Sequence, residues 1–219
     1  MMSGVGRSLF RATRHPRPDP LVALASARCR PLSTLAVLEQ RGGKLDHTSL
    51  RTLTAAKSLG GSVHAFIAGS SVSAAAEDAA KVDGVEKITI VESDVYEKAL
   101  PESYAQLLVE NAKKGGYTHI LAGHSSFGKT TLPRVAALLD SQQISDITFI
   151  GNESTFVRPI YAGNAISTVE SSDRIKVITI RGTAFAAPTT GSRSAVIANG
   201  SDPKAESPTA WISEDLAKV

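Results

Sequence analysis

The chain is 219 residues long, 42% hydrophobic and 21% charged, an ordinary globular composition with room for one domain and its tails. Extended disorder, a collagen-like repeat and a disulfide scaffold are excluded, the last because there is one cysteine. The formal charge of +3 would suit an anionic partner only if the excess lay on a folded surface.

It lies elsewhere. Of 24 basic and 21 acidic residues, six arginines (Arg7, Arg11, Arg14, Arg17, Arg28, Arg30) and a single acid, Asp19, fall within residues 1–32; the remainder holds 18 basic and 20 acidic residues and carries −2. Rich in Arg, Ala, Ser and Leu, residues 1–32 read as an organelle transit peptide, and Arg30-Pro31-Leu32-Ser33 has the make-up of a matrix-processing site. The alternative is a basic tail without an address. A secretory signal fits poorly, because the apolar stretch Leu21 to Ala25 is short and is followed by Arg28 and Arg30. No apolar run reaches the ~20 residues of a membrane span. Cys29 lies in the leader, so the remainder has no thiol for a disulfide, a zinc site or nucleophilic catalysis. The five histidines (His15, His47, His64, His119, His124) show no ligand pair at helical spacing, and no metal site is expected.

From Thr34 short apolar runs alternate with amphipathic stretches. Leu35 to Leu38 reads as a buried strand and Thr48 to Leu59 as a helix with Leu50, Leu53, Ala56 and Leu59 on one face, stopped by Gly60-Gly61. Val63 to Ala68 is a second strand, Ser73 to Val82 an alanine-rich helix ended by Asp83-Gly84, and Lys87 to Val91 a third strand. Pro101 suits the first turn of the next helix, lined by Tyr104, Leu107, Leu108 and Ala112 and closed by Gly115-Gly116. Tyr117 to Ala122 is a fourth strand; Leu132, Val135, Ala136 and Leu139 give a helical stripe, and Ile147 to Ile150 a further strand. Phe156 to Tyr161, Ala165 to Glu170 and Lys176 to Ile180 read as consecutive strands that extend the sheet or form a hairpin on its edge, with turns at Gly163-Asn164 and Ser171-Ser172-Asp173. From Pro188 the composition shifts to Ser, Thr, Ala, Gly and Pro, with Ser213-Glu214-Asp215 near the end, which reads as a linker or disordered tail over 188–219. This order predicts an α/β fold with a mainly parallel sheet flanked by helices and extra antiparallel strands near the C-terminal end, with ligands outside the carboxyl ends of the strands.

The sharpest local motif is Gly123-His124-Ser125-Ser126-Phe127-Gly128-Lys129-Thr130, which matches Gly, four residues, then Gly-Lys-Thr between a strand and a helix. In a nucleotide hydrolase such a loop cradles phosphates on backbone N–H groups, the lysine neutralises charge and the threonine holds magnesium. A downstream strand ending in an acid is also required, whereas the later strands run into Gly151 and Arg181. A Gly-rich turn also serves simply to reverse the chain. Gly123, Ser125, Ser126, Gly128, Lys129 and Thr130 are therefore carried as an anion-binding or partner-contact loop, and a stand-alone nucleotide-binding module is the alternative function. Ser125 lacks a Gly-x-Ser-x-Gly elbow, because the last position is Phe127. His119, on an apolar strand, reads as a hydrogen-bonded interior or edge residue, and Glu92 with Asp94 as a solvated turn. Beyond the leader no basic and aromatic cluster suits nucleic acid.

Several strings carry a family resemblance: Thr34 to Gln40, Leu53 to Gly69, Tyr117-Thr118-His119-Ile120 with Ala122-Gly123, Phe127-Gly128-Lys129, Leu132-Pro133-Arg134-Val135-Ala136-Ala137, Ile144-Ser145-Asp146-Ile147, Thr155-Phe156-Val157-Arg158 with Ile160-Tyr161-Ala162-Gly163-Asn164-Ala165, and Arg181-Gly182-Thr183. Together they resemble the amino-terminal domain of the mitochondrial electron transfer flavoprotein alpha subunit, in register through the whole mature part. In that family the residue after the Gly-Lys is not fixed as threonine, which weakens the phosphate-loop match. The resemblance implies a nucleotide-binding-like domain, similar to the adenine nucleotide alpha hydrolases, over 33–187, and a mitochondrial transit peptide over 1–32. It also implies a soluble heterodimer with a beta subunit in the mitochondrial matrix, working in fatty acid β-oxidation. The complex would accept electrons on FAD from acyl-CoA and related dehydrogenases and pass them to a membrane-bound quinone oxidoreductase. This domain would be a scaffold docked against beta, with no catalytic residues of its own.

The sequence departs from the family at its end. After Trp211-Ile212-Ser213-Glu214 it stops at Val219, about where the FAD-binding carboxy-terminal domain would begin, and the glycine-rich and Ser-Arg strings that hold the flavin are missing. No FAD-binding residue is carried onto any position. The expectation is a scaffold with the main flavin domain missing.

Overall fold

The computed structural model describes residues 31–191, 195–204 and 207–213. The leader up to residue 30, with Cys29, and Glu214-Asp215 of the acidic cluster lie outside the described residues. In chain order the elements are β1 (Ser33–Val37), the short strands β2 (Gln40–Arg41) and β3 (Lys44–Leu45), α1 (His47–Leu59), β4 (Ser62–Gly69), α2 (Ser73–Ala80) and β5 (Lys87–Glu92). Then come α3 (Pro101–Gly115), β6 (His119–Gly123), α4 (Ser126–Leu138), β7 (Gln143–Ile147), β8 (Phe149–Ile150), β9 (Thr155–Ile160), β10 (Ala165–Glu170), β11 (Lys176–Ile180) and β12 (Val196–Asn199).

Seven of the strands form one parallel sheet in the order β12-β5-β4-β1-β6-β11-β7. The apolar runs explain this arrangement, because a parallel strand with helices on both faces buries successive residues on opposite sides. Ala36 and Leu38 pack with Leu53, Ala56 and Leu59 of α1 and Ala75, Ala76 and Ala79 of α2. Leu35 and Val37 pack on the other face with Tyr104, Leu107 and Leu108 of α3 and Leu132 and Val135 of α4. The helix ends follow the sequence: the Asp46 carboxylate caps α1 by accepting from the N–H of Thr48 at 2.7 Å, and Gly116 closes α3 with φ +66. Among the described residues no helix is long and apolar enough to cross a membrane.

Four expectations change. The strand expected over 147–150 is two strands: Asp146 takes φ +59, its N–H donates to Thr179 Oγ1 at 3.0 Å, and the register with β11 shifts there. That bulge turns the chain from the parallel sheet into a three-stranded antiparallel one of order β10-β9-β8. Lys176–Ile180, expected to extend the sheet or sit on its edge, instead lies between β6 and β7, where Val177, Ile178 and Ile180 are fully buried. Within the stretch read as a linker or tail, Val196–Asn199 pairs with β5 as the edge strand. Backbone bonds hold it there, from Val196 N to Glu86 O at 3.1 Å and from Gly200 N to Ile90 O at 2.7 Å, and the Asn111 amide fixes Ser201 through both its backbone groups. Its side chains are largely exposed, so its composition carries no burial signal. Leu32, placed at the end of the leader, packs against the core, and its carbonyl accepts from Ser62 N–H at 3.1 Å.

Candidate functional site

Strand order reverses at β1: β4 and β5 follow on one side of it and β6 on the other. Such a switch point opens a crevice beyond the carboxyl ends of the strands. The Gly123 to Thr130 loop sits there, leaving β6 and entering α4. Its helix begins early, at Ser126, so Gly128, Lys129 and Thr130 stand in the first turns instead of forming an open loop. The Ser125 hydroxyl oxygen accepts from Gly128 N–H at 3.2 Å and its O–H donates to Glu39 Oε2 at 2.6 Å, while Lys129 N–H donates to Ser125 O at 2.9 Å. The Thr130 hydroxyl donates back to the carbonyls of Ser126 and Phe127, at 2.9 and 3.1 Å. Gly128 is where the helix meets the strand: a Cβ there would lie 1.9 Å from Gly123 O.

This turn does not fit the pyrophosphate of a dinucleotide such as FAD. A phosphate cradle needs free N–H groups, but here the Gly128 N–H is capped by Ser125, and the Glu39 carboxylate stands against the same hydroxyl. The threonine hydroxyl that would hold magnesium is turned to its own helix.

Beside the turn, at the ends of β6, β11 and β7, lies an open cleft of about 590 Å³ lined by His47, Thr48, Arg51, His124, Lys129 and Asp146, with Arg181 to Thr183. Arg51 donates from Nη1 to the carbonyls of Gly182 and Phe185, at 3.1 and 3.0 Å, and so ties α1 to the loop after β11. Arg181 grips Asp146 with two donors, Nε to Oδ1 at 3.0 Å and Nη2 to Oδ2. His124 Nδ1 lies 3.0 Å from Thr179 Oγ1, and burial lowers the pKa of this imidazole against the opposing pull of Asp146. Lys129 is exposed at the rim.

Sequence reasoning missed Asp146, because β7 begins at Gln143 and carries this acid to the cleft. It missed His47 and Arg51 as well, since their position depends on strand order. The only local signal lay in the strings Ile144-Ser145-Asp146-Ile147 and Arg181-Gly182-Thr183, which meet here as an ion pair. A carboxylate gripped in this way is not free to ligate, and among the described residues no group of three or more His, Cys, Asp or Glu is placed to hold a metal. The cleft offers cationic groups to an acidic side chain or an anion.

His119, expected as an interior residue, is buried in β6 with Nε2 2.7 Å from Glu153 O and Nδ1 2.9 Å from Thr118 Oγ1. A carbonyl only accepts, so Nε2 carries the hydrogen. Burial lowers its pKa, partly offset by that hydrogen bond; burial likewise lowers the pKa of His64, whose Nδ1 lies 2.8 Å from Tyr117 Oη. Each imidazole thus titrates lower in the native chain than its ordinary value of 6.5. Stability is then complete above about pH 6.5 and is lost as pH falls from there through the native values, because the unfolded chain takes up protons first. The melting temperature is expected to be flat from pH 7 to 8 and to drop below about pH 6.5, with a shallower drop in His119→Gln. An acid limb unchanged by that substitution would remove His119 from the cause.

Comparison with known proteins bears on residues 34–205, which match the electron transfer flavoprotein domain family. The chain is 44% identical over 187 residues to the electron transfer flavoprotein subunit alpha of Pseudomonas aeruginosa, covering 85% of this chain and 60% of the relative. It is 42% identical over 188 residues to the probable mitochondrial alpha subunit of Schizosaccharomyces pombe, covering 85% and 55%. It is 38% identical over 215 residues to a probable mitochondrial alpha subunit of Cryptococcus neoformans, covering 96% and 61%. The chain therefore spans somewhat over half the length of these relatives.

Proposed function

As the chain belongs to the electron transfer flavoprotein family, we propose that it is the amino-terminal, scaffolding part of an alpha-type subunit that docks a beta subunit. The observation that supports this reading is identity of 38 to 44% across at least 85% of the chain to proteins named as alpha subunits. In the complete complex FAD supplies the one- and two-electron chemistry. Electrons enter from acyl-CoA and related dehydrogenases and leave to a membrane-bound quinone oxidoreductase. Transfer of that kind asks the protein for fixed distances between redox groups, and a sheet buried on both faces by four helices is a stiff mount for them. No acid, base or nucleophile is assigned to these residues. The Gly123 to Thr130 turn is a packing turn whose rim, Ser126, Lys129 and Thr130, is open to a partner. The destination is the mitochondrial matrix, with residues 1–32 as the address; the relatives named as mitochondrial support the organelle, and the arginine-rich, acid-poor composition of residues 1–32 supports the address.

Coexpression with a beta subunit tests this. The chain is expected to co-purify with beta as a stable one-to-one complex, and alone to be colourless. Stoichiometric visible flavin absorbance in the isolated chain, or tight nucleotide binding without beta, would instead favour an independent nucleotide-binding module.

A further inference from the structure

The cleft beyond β6, β11 and β7 holds more positive charge than its own residues balance. Among the described residues that line it, Arg51, Lys129 and Arg181 are cations and Asp146 is the one acid, and that carboxylate is already gripped by two donors of Arg181. A fourth cation stands behind the lining. Burial is the first cause of the lowered pKa of His124; Asp146 opposes it, and the charges of Lys129, Arg181 and Arg158 add to it, so Arg158 of β9 lies within electrostatic reach of the cleft. Arg158 Nε is buried and has no hydrogen-bond partner among the described residues. Four cations thus face one carboxylate, a surplus of three, in a chain whose residues 33–219 together carry −2. A buried guanidinium donor left unpaired is costly, and an incoming oxyanion removes that cost.

The donors still available are side chains. Arg51 uses Nη1 for the carbonyls of Gly182 and Phe185, which leaves its Nε and Nη2 edge, the edge that grips a carboxylate with two parallel bonds. Thr179 is fully buried and its Oγ1 accepts from Asp146 N–H, so its own hydrogen goes to His124 Nδ1 at 3.0 Å and the imidazole keeps its hydrogen on Nε2. Lys129 Nζ has no partner among the described residues. The backbone donors at the two helix starts are committed: Asp46 accepts from Thr48 and Ser49, and Ser125 from Gly128 and Lys129. A phosphate is held chiefly by such N–H groups, whereas a planar carboxylate is matched by guanidinium edges.

We infer that this cleft is a binding site for a small organic dicarboxylate, with Arg51, Lys129, His124 Nε2 and Arg158 as its donors. Two carboxylates answer the surplus of charge better than one, and about 590 Å³ lies within the roughly 300–1,000 Å³ of small-molecule sites. The inference goes beyond the heterodimer reading and does not rest on it, and no beta subunit enters the test. Succinate is the probe, titrated into the full chain at constant ionic strength and followed by backbone amide shifts, with each variant's melting temperature measured without ligand. Saturable shifts confined to residues 47–51, 124–129 and 181–183 are expected. Arg158→Met is expected to weaken binding by about tenfold, the worth of one charge-assisted hydrogen bond, while holding or raising the melting temperature, because the apolar side chain replaces an unpaired buried charge. Lys129→Gln is expected to weaken binding with the melting temperature unchanged, and Lys114→Gln, in the last turn of α3 at the other end of the sheet, to bind as the unsubstituted chain does. The absence of saturable shifts, or undiminished binding by Lys129→Gln, overturns the site. A melting temperature lowered by Arg158→Met overturns it as well, because the guanidinium then already has its counter-charge. Inorganic phosphate that shifts the same amides at lower concentration than succinate overturns the carboxylate class, and an oligoglutamate peptide that does so assigns the cleft to an acidic protein partner instead.

Discussion

Gly128→Ala is expected to destabilise the chain by about 3 kcal/mol, at the upper end of what overpacking a close contact costs, and Lys129→Ala to change stability by less than about 0.5 kcal/mol. The added methyl would meet the Gly123 carbonyl oxygen at 1.9 Å, and the end of β6 gives that oxygen no room, because Gly123 is in register with Ile180 of β11 and its neighbour Ala122 with Val37 of β1. Relief requires α4 to move away from the sheet. That motion draws Phe127 off Tyr104, a ring pair edge to face at 4.9 Å in the core, and lengthens the Ser125 cap on Gly128 N–H. Lys129 makes no such contact and points to the cleft. A phosphate-binding loop would show the reverse sensitivity, with the lysine decisive for ligand and the glycine decisive for the shape of the cradle. Urea unfolding of the two variants decides it: a Gly128→Ala midpoint close to that of the parent would mean that helix and strand are not in the contact described.

The strands that could be read from sequence are those whose burial is written in their composition. Leu35 to Leu38, Val63 to Ala68 and Lys87 to Val91 are nearly continuous apolar runs, and a run buried on both faces can only be a central parallel strand or a buried helix too short to exist alone. Val177 to Ile180 has the same signature, yet its place between β6 and β7 could not be read, because periodicity fixes what a strand is and not which strands flank it. Val196–Asn199 was illegible for the opposite reason: it is a strand by backbone pairing while its side chains remain in water. The break at Asp146 depends on one left-handed residue that is not glycine, and composition does not announce such a residue. The cleft was hidden by the same logic. His47, Lys129, Asp146 and Arg181 are separated by up to 134 positions, and only the strand order brings them to one rim. The Gly123 to Thr130 motif was legible as a turn between strand and helix, but its chemistry was not, since that depends on where the helix begins and on the Glu39 carboxylate from the end of another strand.

Phe156→Ala is expected to cost about 3–5 kcal/mol, the range for emptying a fully buried phenyl site, and to do so by loosening the small sheet from the large one. Phe156 is completely buried and its ring lies 6.5 Å from that of His119, so it spans the junction between β9 and the core under β6. The hydrogen bond of His119 to Glu153 O at 2.7 Å is a polar tie across the same junction, while Thr148 N–H to Val157 O at 2.8 Å and Gly151 N–H to Thr155 O at 2.9 Å hold β8 to β9 within the small sheet. With the ring gone, the inner face of the sheet loses its main buried side chain, and the β8-β9-β10 unit should open ahead of the rest. Amide exchange at Thr148 and Gly151 is then expected to speed up far more than exchange at Val37 or Phe66. Phe156→Leu, which refills most of the cavity, should recover both the stability and the slow exchange. Native exchange rates at Thr148 and Gly151 in a destabilised Phe156→Ala would break the link between this ring and the anchoring of the small sheet.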